Sequence, residues 1–139
     1  MSSSFHLAIP AGDLKKAEAF YTDILGCKTG NREEGKWVDI DFWGNELTLH
    51  QTKMKLPRER HDVDMGNVPV PHFGVVLQMK DWVTLADQIK SFIDGFVIDP
   101  YIRFKGEAGE QATMFFLDPS GNALEFKAFK DIEGQLFAR

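Results

Sequence analysis

Residues 118–124 read Asp-Pro-Ser-Gly-Asn-Ala-Leu, and residues 41–47 read Asp-Phe-Trp-Gly-Asn-Glu-Leu. Four of the seven positions are identical without a gap. In both places a Gly-Asn pair separates two segments in which apolar and polar residues alternate, a pattern typical of β-hairpins. The match therefore indicates an internal repeat of about 70 residues, the kind of signal that decides the architecture of a chain.

The segments around the two hairpins follow the same order. In the first half, a strand over 5–10 precedes a helix that is capped by Asp13 and ended by Gly26, and strands over 27–31, 37–42 and 46–51 follow. In the second half, a strand over 71–77 precedes a helix capped by Asp81, and strands over 97–104, 111–117 and 123–129 follow. Each half thus reads strand, helix, strand, strand, strand. We expect one α+β domain over 1–139, with module one at about 4–51, a polar linker over 52–70 and module two at about 71–130.

Composition excludes several classes of protein. The net charge is −5 and the basic residues are scattered, so no basic stripe is available for nucleic acid. The longest apolar runs are too short to span a bilayer, and the N-terminus lacks the pattern of a secretory signal. The single cysteine, Cys27, fits a reducing compartment and reads as a half-buried residue at a helix end. A cytoplasmic protein without membrane or nucleic-acid partners is expected.

Two histidines occupy matching places in the repeat. His6 and His72 each lie on the first strand of their half, and Glu125 lies in the apolar run Ala-Leu-Glu-Phe. A carboxylate in such a run is costly to bury unless it is paired or bound to a cation. Two imidazoles and one carboxylate on three strands form a plausible facial triad for a divalent metal, with positions left open for water or substrate.

With these residues in place, the chain resembles the vicinal oxygen chelate superfamily, which includes glyoxalase I, extradiol dioxygenases, fosfomycin-resistance enzymes and bleomycin-resistance proteins. The resemblance covers about residues 4–130 and rests on His6, His72 and the run from Asp118 to Glu125. It implies two βαβββ modules forming a curved mixed-sheet cup with helices outside, and frequently a homodimer. It also implies one divalent ion (Fe²⁺, Mn²⁺, Zn²⁺ or Ni²⁺) on His6, His72 and Glu125.

Two departures from the resemblance narrow the expected function. Thr48 stands at the repeat position of Glu125, where glyoxalase I enzymes carry a further glutamate, and it cannot act as a general base. Phe115 stands where extradiol dioxygenases carry a tyrosine. His50, two residues after Thr48, is the first candidate for a catalytic proton-transfer residue.

The sequence therefore predicts a metal-dependent enzyme of the glyoxalase/dioxygenase type that acts on a small substrate through vicinal oxygens. Thr48, Arg103 and Phe115 are candidates for substrate binding, and Arg103 and Lys127 are the basic residues available to a phosphonate-type substrate. One alternative is a protein that sequesters an antibiotic or aromatic ligand without catalysis, and another is a chain whose metal site is vestigial and that acts through protein contacts.

Overall fold

The two halves of the chain form sheets of the same topology. The computed structural model describes residues 3–53, 59–63 and 66–138, with the backbone alone at 59–63, 66 and 67. Its residues cluster into two units, one of Met1–Pro57 with Asp118–Asn122 and the other of Arg58–Leu117 with Ala123–Arg139. Each unit carries a strand, a helix and three further strands in chain order, so the α+β assignment with two βαβββ modules is confirmed.

Unit one contains a four-stranded sheet in the order β1-β4-β3-β2. Its elements are β1 (His6–Gly12), α1 (Leu14–Ala19) with a π-helical continuation (Phe20–Ile24), β2 (Lys28–Glu33), β3 (Trp37–Phe42) and β4 (Asn45–Gln51). The helix begins as expected, because the side chain of Asp13 accepts hydrogen bonds from the backbone amides of Lys15 and Lys16. It ends before Gly26, whose φ of 77° suits glycine.

Unit two repeats this order after an additional hairpin. The hairpin comprises β5 (Glu59–Val63) and β6 (Gly66–Val70), and the repeat comprises β7 (His72–Phe73), β8 (Val76–Gln78), α2 (Met79–Ile89), β9 (Ile98–Arg103), β10 (Gln111–Leu117), β11 (Ala123–Phe129) and α3 (Ile132–Gln135). The sheet has the order β7-β11-β10-β9, with β8 also paired to β11. Trp82 links α2 to this sheet through a hydrogen bond: its indole N–H donates to the backbone carbonyl of Phe126 at 2.9 Å.

The strand registers reproduce the repeat that the sequence predicts. His6 lies opposite Glu46 in the parallel pair β1-β4, and His72 lies opposite Ala123 in the parallel pair β7-β11. Glu46 and Ala123 are also aligned in the seven-residue match. The first-strand histidines are therefore equivalent in three dimensions within their own units, and Thr48 is the counterpart of Glu125.

Three local predictions were wrong. The segment 52–70 is not entirely loop, because β5 and β6 pair in it; its charged residues and two prolines masked the alternation on which a strand prediction depends. Helix α2 begins at Met79, so Asp81 lies in the first turn and not at the cap. The first hairpin turns at Trp43-Gly44, both with positive φ, and Asn45 already belongs to β4.

Alternating side chains supply the core of each unit. In β3 and β4 the apolar residues Val38, Ile40, Leu47 and Leu49 are buried, while β10 and β11 bury nearly every residue. Burial on both faces explains why polar residues of β10 and β11 require partners, since an unpaired buried polar group is costly. No helix in the described parts of the chain has the length and apolar character to cross a membrane.

Candidate metal centre

His72 and Glu125 form a close pair on one face of the sheet in unit two. The Nε2 atom of His72 lies 3.3 Å from Oε1 of Glu125. The other ring nitrogen, Nδ1, lies 2.8 Å from the backbone carbonyl of Pro69. A carbonyl only accepts, so Nδ1 carries a proton and donates it, and in the neutral ring Nε2 keeps its lone pair. This lone pair is directed to the side of the carboxylate.

Glu125 is 9% exposed and is held at both oxygens. Oε1 faces His72, and Oε2 accepts a hydrogen bond of 2.6 Å from the hydroxyl of Thr113. Burial raises the pKa of Glu125, but the hydrogen bonds from His72 and Thr113, together with the positive charge of Lys127, outweigh it and leave the pKa below its ordinary value. The carboxylate is therefore ionised in a largely dry setting, which is the state a metal ligand needs.

The surroundings of His72 raise its pKa, whereas those of Glu125 lower the pKa of the carboxyl group. The hydrogen bond with Glu125 is the largest influence and raises the pKa of His72, burial opposes it, and the bond to Pro69 adds to the increase. A proton between Nε2 and Oε1 is therefore stabilised when no other cation is present. The same two atoms accept any cation that replaces this proton.

Phe115 closes one side of the pair. Its ring meets the His72 ring edge to face, with centroids 4.9 Å apart, and it lies opposite Glu125 in the β10-β11 ladder. It is buried with Val68 and Ile98, so it restricts water on this side of the carboxylate. Phe115 has no group that donates or accepts a proton. Its ring therefore forms an apolar side of the site beside His72 and Glu125 and cannot take part in proton transfer.

His6 lies on β1 of unit one and is more exposed. Its Nδ1 atom is 2.7 Å from Oε1 of Glu46, and the His6 side chain is 60% exposed. A ring nitrogen held by a carboxylate leaves Nε2 available, which is the arrangement common to metal-binding histidines. No signal in the sequence marks Glu46 for this role, because only the pairing of β1 with β4 brings it opposite His6.

Thr48 and Asp39 form a further polar pair in unit one. The Thr48 hydroxyl donates to Oδ1 of Asp39 at 2.7 Å, directly across the β3-β4 ladder. Thr48 is buried, and its donor is thereby occupied. Asp39 thus places a carboxylate beside Thr48, the repeat counterpart of Glu125. Only the pairing of β3 with β4 reveals this proximity. His50 follows on the same strand face, is exposed and lies opposite Trp37.

The remaining candidates lie along β9 to β11. Arg103 is half-buried opposite Gln111, with its guanidinium 4.6 Å from the Phe104 ring centroid. Lys127 is half-buried, two residues beyond Glu125 on β11. Gln111 is buried, and its Oε1 has no hydrogen-bond partner within the described residues. Neither unit, over the residues that the structure describes, gathers three or more His, Cys, Asp or Glu side chains as a metal site.

The turn over Asp118–Asn122 has a structural role. The Asp118 carboxylate accepts from the backbone amides of Ser120 and Asn122 and from the buried Tyr21 hydroxyl, the last at 2.9 Å. The Asn122 amide donates to the carbonyl of Pro10 at 2.7 Å, and Ser120 donates to the carbonyl of Ala11. The signature run thus anchors to β1 and to the π-helical continuation of α1.

Two βαβββ modules, one of which carries a buried carboxylate paired with a histidine, define a protein of the vicinal oxygen chelate fold. The model of the Glyoxalase/Bleomycin resistance protein/Dioxygenase superfamily matches residues 4–126. This chain belongs to that superfamily. No curated protein matches it at a significant level.

Solved structures agree with this assignment. A glyoxalase/bleomycin resistance protein/dioxygenase from Alicyclobacillus acidocaldarius is 35% identical, with a TM-score of 0.76 and 95% of each chain covered. A fosfomycin resistance protein from Listeria monocytogenes is 16% identical, with a TM-score of 0.70 over 97% of this chain and 98% of that one. A lactoylglutathione lyase from Agrobacterium tumefaciens is 21% identical, with a TM-score of 0.66 over 94% and 96%. The last two similarities concern the fold alone.

Proposed function

We propose that this protein is a metal-dependent enzyme in which His6, His72 and Glu125 hold one divalent ion and a small substrate chelates that ion through vicinal oxygens. The observation that carries the proposal is the His72–Glu125 pair. A ring nitrogen of His72 and a carboxylate oxygen of Glu125, each of which accepts when unprotonated, face each other at 3.3 Å. Two acceptors at this distance require a proton or a cation between them.

The spacing suits a metal. Two ligand atoms, each about 2.1 Å from one ion, are roughly 3.0–3.4 Å apart for right-angled to tetrahedral arrangements. The Nε2–Oε1 distance of 3.3 Å falls in that range. Imidazole nitrogen and carboxylate oxygen together suit Fe²⁺, Mn²⁺, Zn²⁺ and Ni²⁺.

The surroundings of the two histidines support the same proposal. Both rings are held through Nδ1, by the Pro69 carbonyl in unit two and by the Glu46 carboxylate in unit one. Such outer contacts fix the ring orientation and tautomer of a ligand and raise its basicity. A structural role for either histidine would not explain why the Nδ1 atom is hydrogen-bonded to an acceptor at both repeat positions.

Bound at these residues, a divalent ion supplies Lewis acidity that polarises the chelated oxygens. The chain supplies the rest. Thr113 fixes the orientation of Glu125, and Phe115 limits water at the pair. Thr48 cannot take a proton as a general base, so proton transfer on the side of unit one is assigned to His50 or Asp39.

A second function, sequestration of an antibiotic or aromatic ligand without turnover, is favoured by one observation. Thr48 and Phe115 stand where glyoxalase I enzymes and extradiol dioxygenases, respectively, carry proton-transfer groups. The hydroxyl of Thr48 already donates to Asp39. A protein that only sequesters a ligand requires the metal or the apolar surface of Phe115 for binding, but it does not require a general base. Turnover by the metal-loaded protein separates the two functions.

Calorimetric titration of the metal-free protein tests the proposal. We expect one divalent ion per chain with Zn²⁺ or Mn²⁺, or with Fe²⁺ under anaerobic conditions, and at least a hundredfold weaker binding for Glu125→Gln, His72→Ala and His6→Ala. Glu133→Gln, an exposed glutamate on α3, is the matched control and should bind as the wild type does. Binding that survives loss of any of the three ligands would refute the assignment.

A further inference from the structure

A row of polar side chains crosses the sheet of unit two next to Glu125. Tyr101 on β9 lies opposite Thr113 on β10, and Thr113 lies opposite Lys127 on β11. Residues two apart on a strand share a face, so Lys127 is on the face of Glu125. The hydrogen bond from Thr113 to Glu125 confirms that the row and the carboxylate face the same way.

Lys127 is close to the pair without being paired to it. It lies two residues after Glu125 on β11 and directly opposite Thr113, whose hydroxyl donates to Glu125. Among the residues that the structure describes, no carboxylate oxygen lies within ion-pair distance of its ammonium group. A half-buried lysine in this position is incompletely neutralised, which is costly unless a ligand compensates.

The charge balance changes when a metal is present, and this step rests on the proposed function. A divalent ion and the ammonium group bring three positive charges, whereas the described carboxylates at the ligands, Glu125 itself and Glu46 beside His6, bring two negative ones. Positive charge therefore remains in excess on a partly buried surface. An anionic ligand removes that excess, whereas a neutral one leaves it.

We propose that Lys127 is a specificity-determining residue that binds a carboxylate, phosphonate or phosphate group of the substrate while the vicinal oxygens of the same molecule chelate the metal. The substrate class is thus a small chelating molecule with a separate anionic group. Residues two apart on a strand are separated by about 6.6 Å, so one small molecule can reach both the metal ligand Glu125 and the flexible side chain of Lys127. The aromatic acid 3,4-dihydroxybenzoate carries vicinal oxygens and a carboxylate on one ring, and catechol is the same chelator without the carboxylate.

The test compares these two compounds as ligands of the zinc-loaded protein, a redox-inert form, by calorimetry. We expect 3,4-dihydroxybenzoate to bind at least tenfold more tightly than catechol to the wild type. Lys127→Gln should abolish this preference, a tenfold loss that corresponds to roughly 1.4 kcal/mol. Zinc and catechol should bind the variant at least as tightly as the wild type, because the excess positive charge is reduced. Lys127→Arg should keep most of the preference, and Lys130→Gln, which removes an exposed charge three positions further, should keep all of it.

The outcomes distinguish this inference from the proposed function. The role of Lys127 alone is overturned if the protein binds zinc but binds both compounds with equal affinity. It is also overturned if Lys127→Gln leaves the preference intact. Failure of the wild type to bind zinc or any other divalent ion overturns the proposed function and this inference with it. Repeating the comparison with phenylphosphonate as a competitor establishes whether a phosphonate occupies the same position as the carboxylate.

Discussion

Gly74 lies directly against the backbone of Glu125: a Cβ atom added at Gly74 would overlap severely with the Glu125 carbonyl oxygen. The reason is the pairing of β7 and β8 with β11, which brings the short segment between the two strands against the middle of β11. A residue with any side chain cannot approach so closely. Glycine at position 74 thus sets the position of the Glu125 backbone and, through it, the carboxylate.

Gly74→Ala is therefore expected to destabilise unit two and displace Glu125. We expect the free energy of unfolding to fall by about 3 kcal/mol, at the upper end for overpacking, because the obstacle is backbone and cannot rotate away. Gly30→Ala on β2 is the control, since a Cβ there makes only an ordinary contact with Asp39. Urea unfolding of both variants gives the measurement, and equal stability of the two would contradict the close packing.

Thr113→Val tests the hydrogen bond that orients Glu125. The change keeps the shape of the side chain and removes the 2.6 Å bond to Oε2. We expect metal affinity to fall about tenfold, in the range usual for loss of an outer-shell partner. Thr113→Ser keeps the hydroxyl and should retain most of the affinity; if serine and valine weaken binding equally, packing and not the hydrogen bond is responsible.

Thr48 and Phe115 lead to a prediction about activity. The hemithioacetal of methylglyoxal and glutathione, and simple catechols, should show negligible turnover with the metal-loaded protein. Isomerisation of the first requires a base where Thr48 stands, and ring cleavage of the second requires a proton donor where Phe115 stands. Spectrophotometric assays with each of the candidate ions provide the measurement, and robust metal-dependent turnover of either compound would show that other residues supply the chemistry.

The oligomeric state can be tested because the proposed metal ligands belong to different units, His6 to unit one and His72 and Glu125 to unit two. We propose a two-fold homodimer whose sites are shared between chains, which also covers strand edges. Mixing His6→Ala protein with Glu125→Ala protein should then restore one intact metal site per heterodimer, as measured by metal content after subunit exchange. Exchange without recovered binding would mean that each chain builds its own site.

Cys27 gives a pH-dependent prediction. Burial, with a smaller contribution from the charge of Asp41, raises the pKa of the Cys27 thiol from 9.0 to about 12. A raised pKa means that the native thiol stays protonated while that of the unfolded chain ionises above 9.0. Alkylation by iodoacetamide should therefore remain slow from pH 7 to pH 10 in the native protein and accelerate only in urea, since the thiolate is the nucleophile. A native rate that levels off near pH 9 would contradict this, and Cys27→Ser provides the blank.

Much of the architecture could be predicted from local signals. Alternation of apolar residues marked the strands, Asp13 and Gly26 marked the ends of α1, and the match between 41–47 and 118–124 gave the repeat. These signals depend on residues close in the chain, so no tertiary contact was needed to read them. The start of α2 was missed because Gln78 caps it without a side-chain hydrogen bond, which removes the usual sequence mark.

The sequence by itself determined the two-module fold and the family, because the strand period and the positions of the motif residues depend only on the order of residues in the chain. It also supplied the three residues proposed as metal ligands. Only the tertiary structure decided which groups surround those ligands. Thr113 and Gly74 are brought to Glu125 by strand register, and Glu46 is brought to His6 in the same way. Register is a property of paired strands and not of either strand alone, so these contacts could not be read from one sequence.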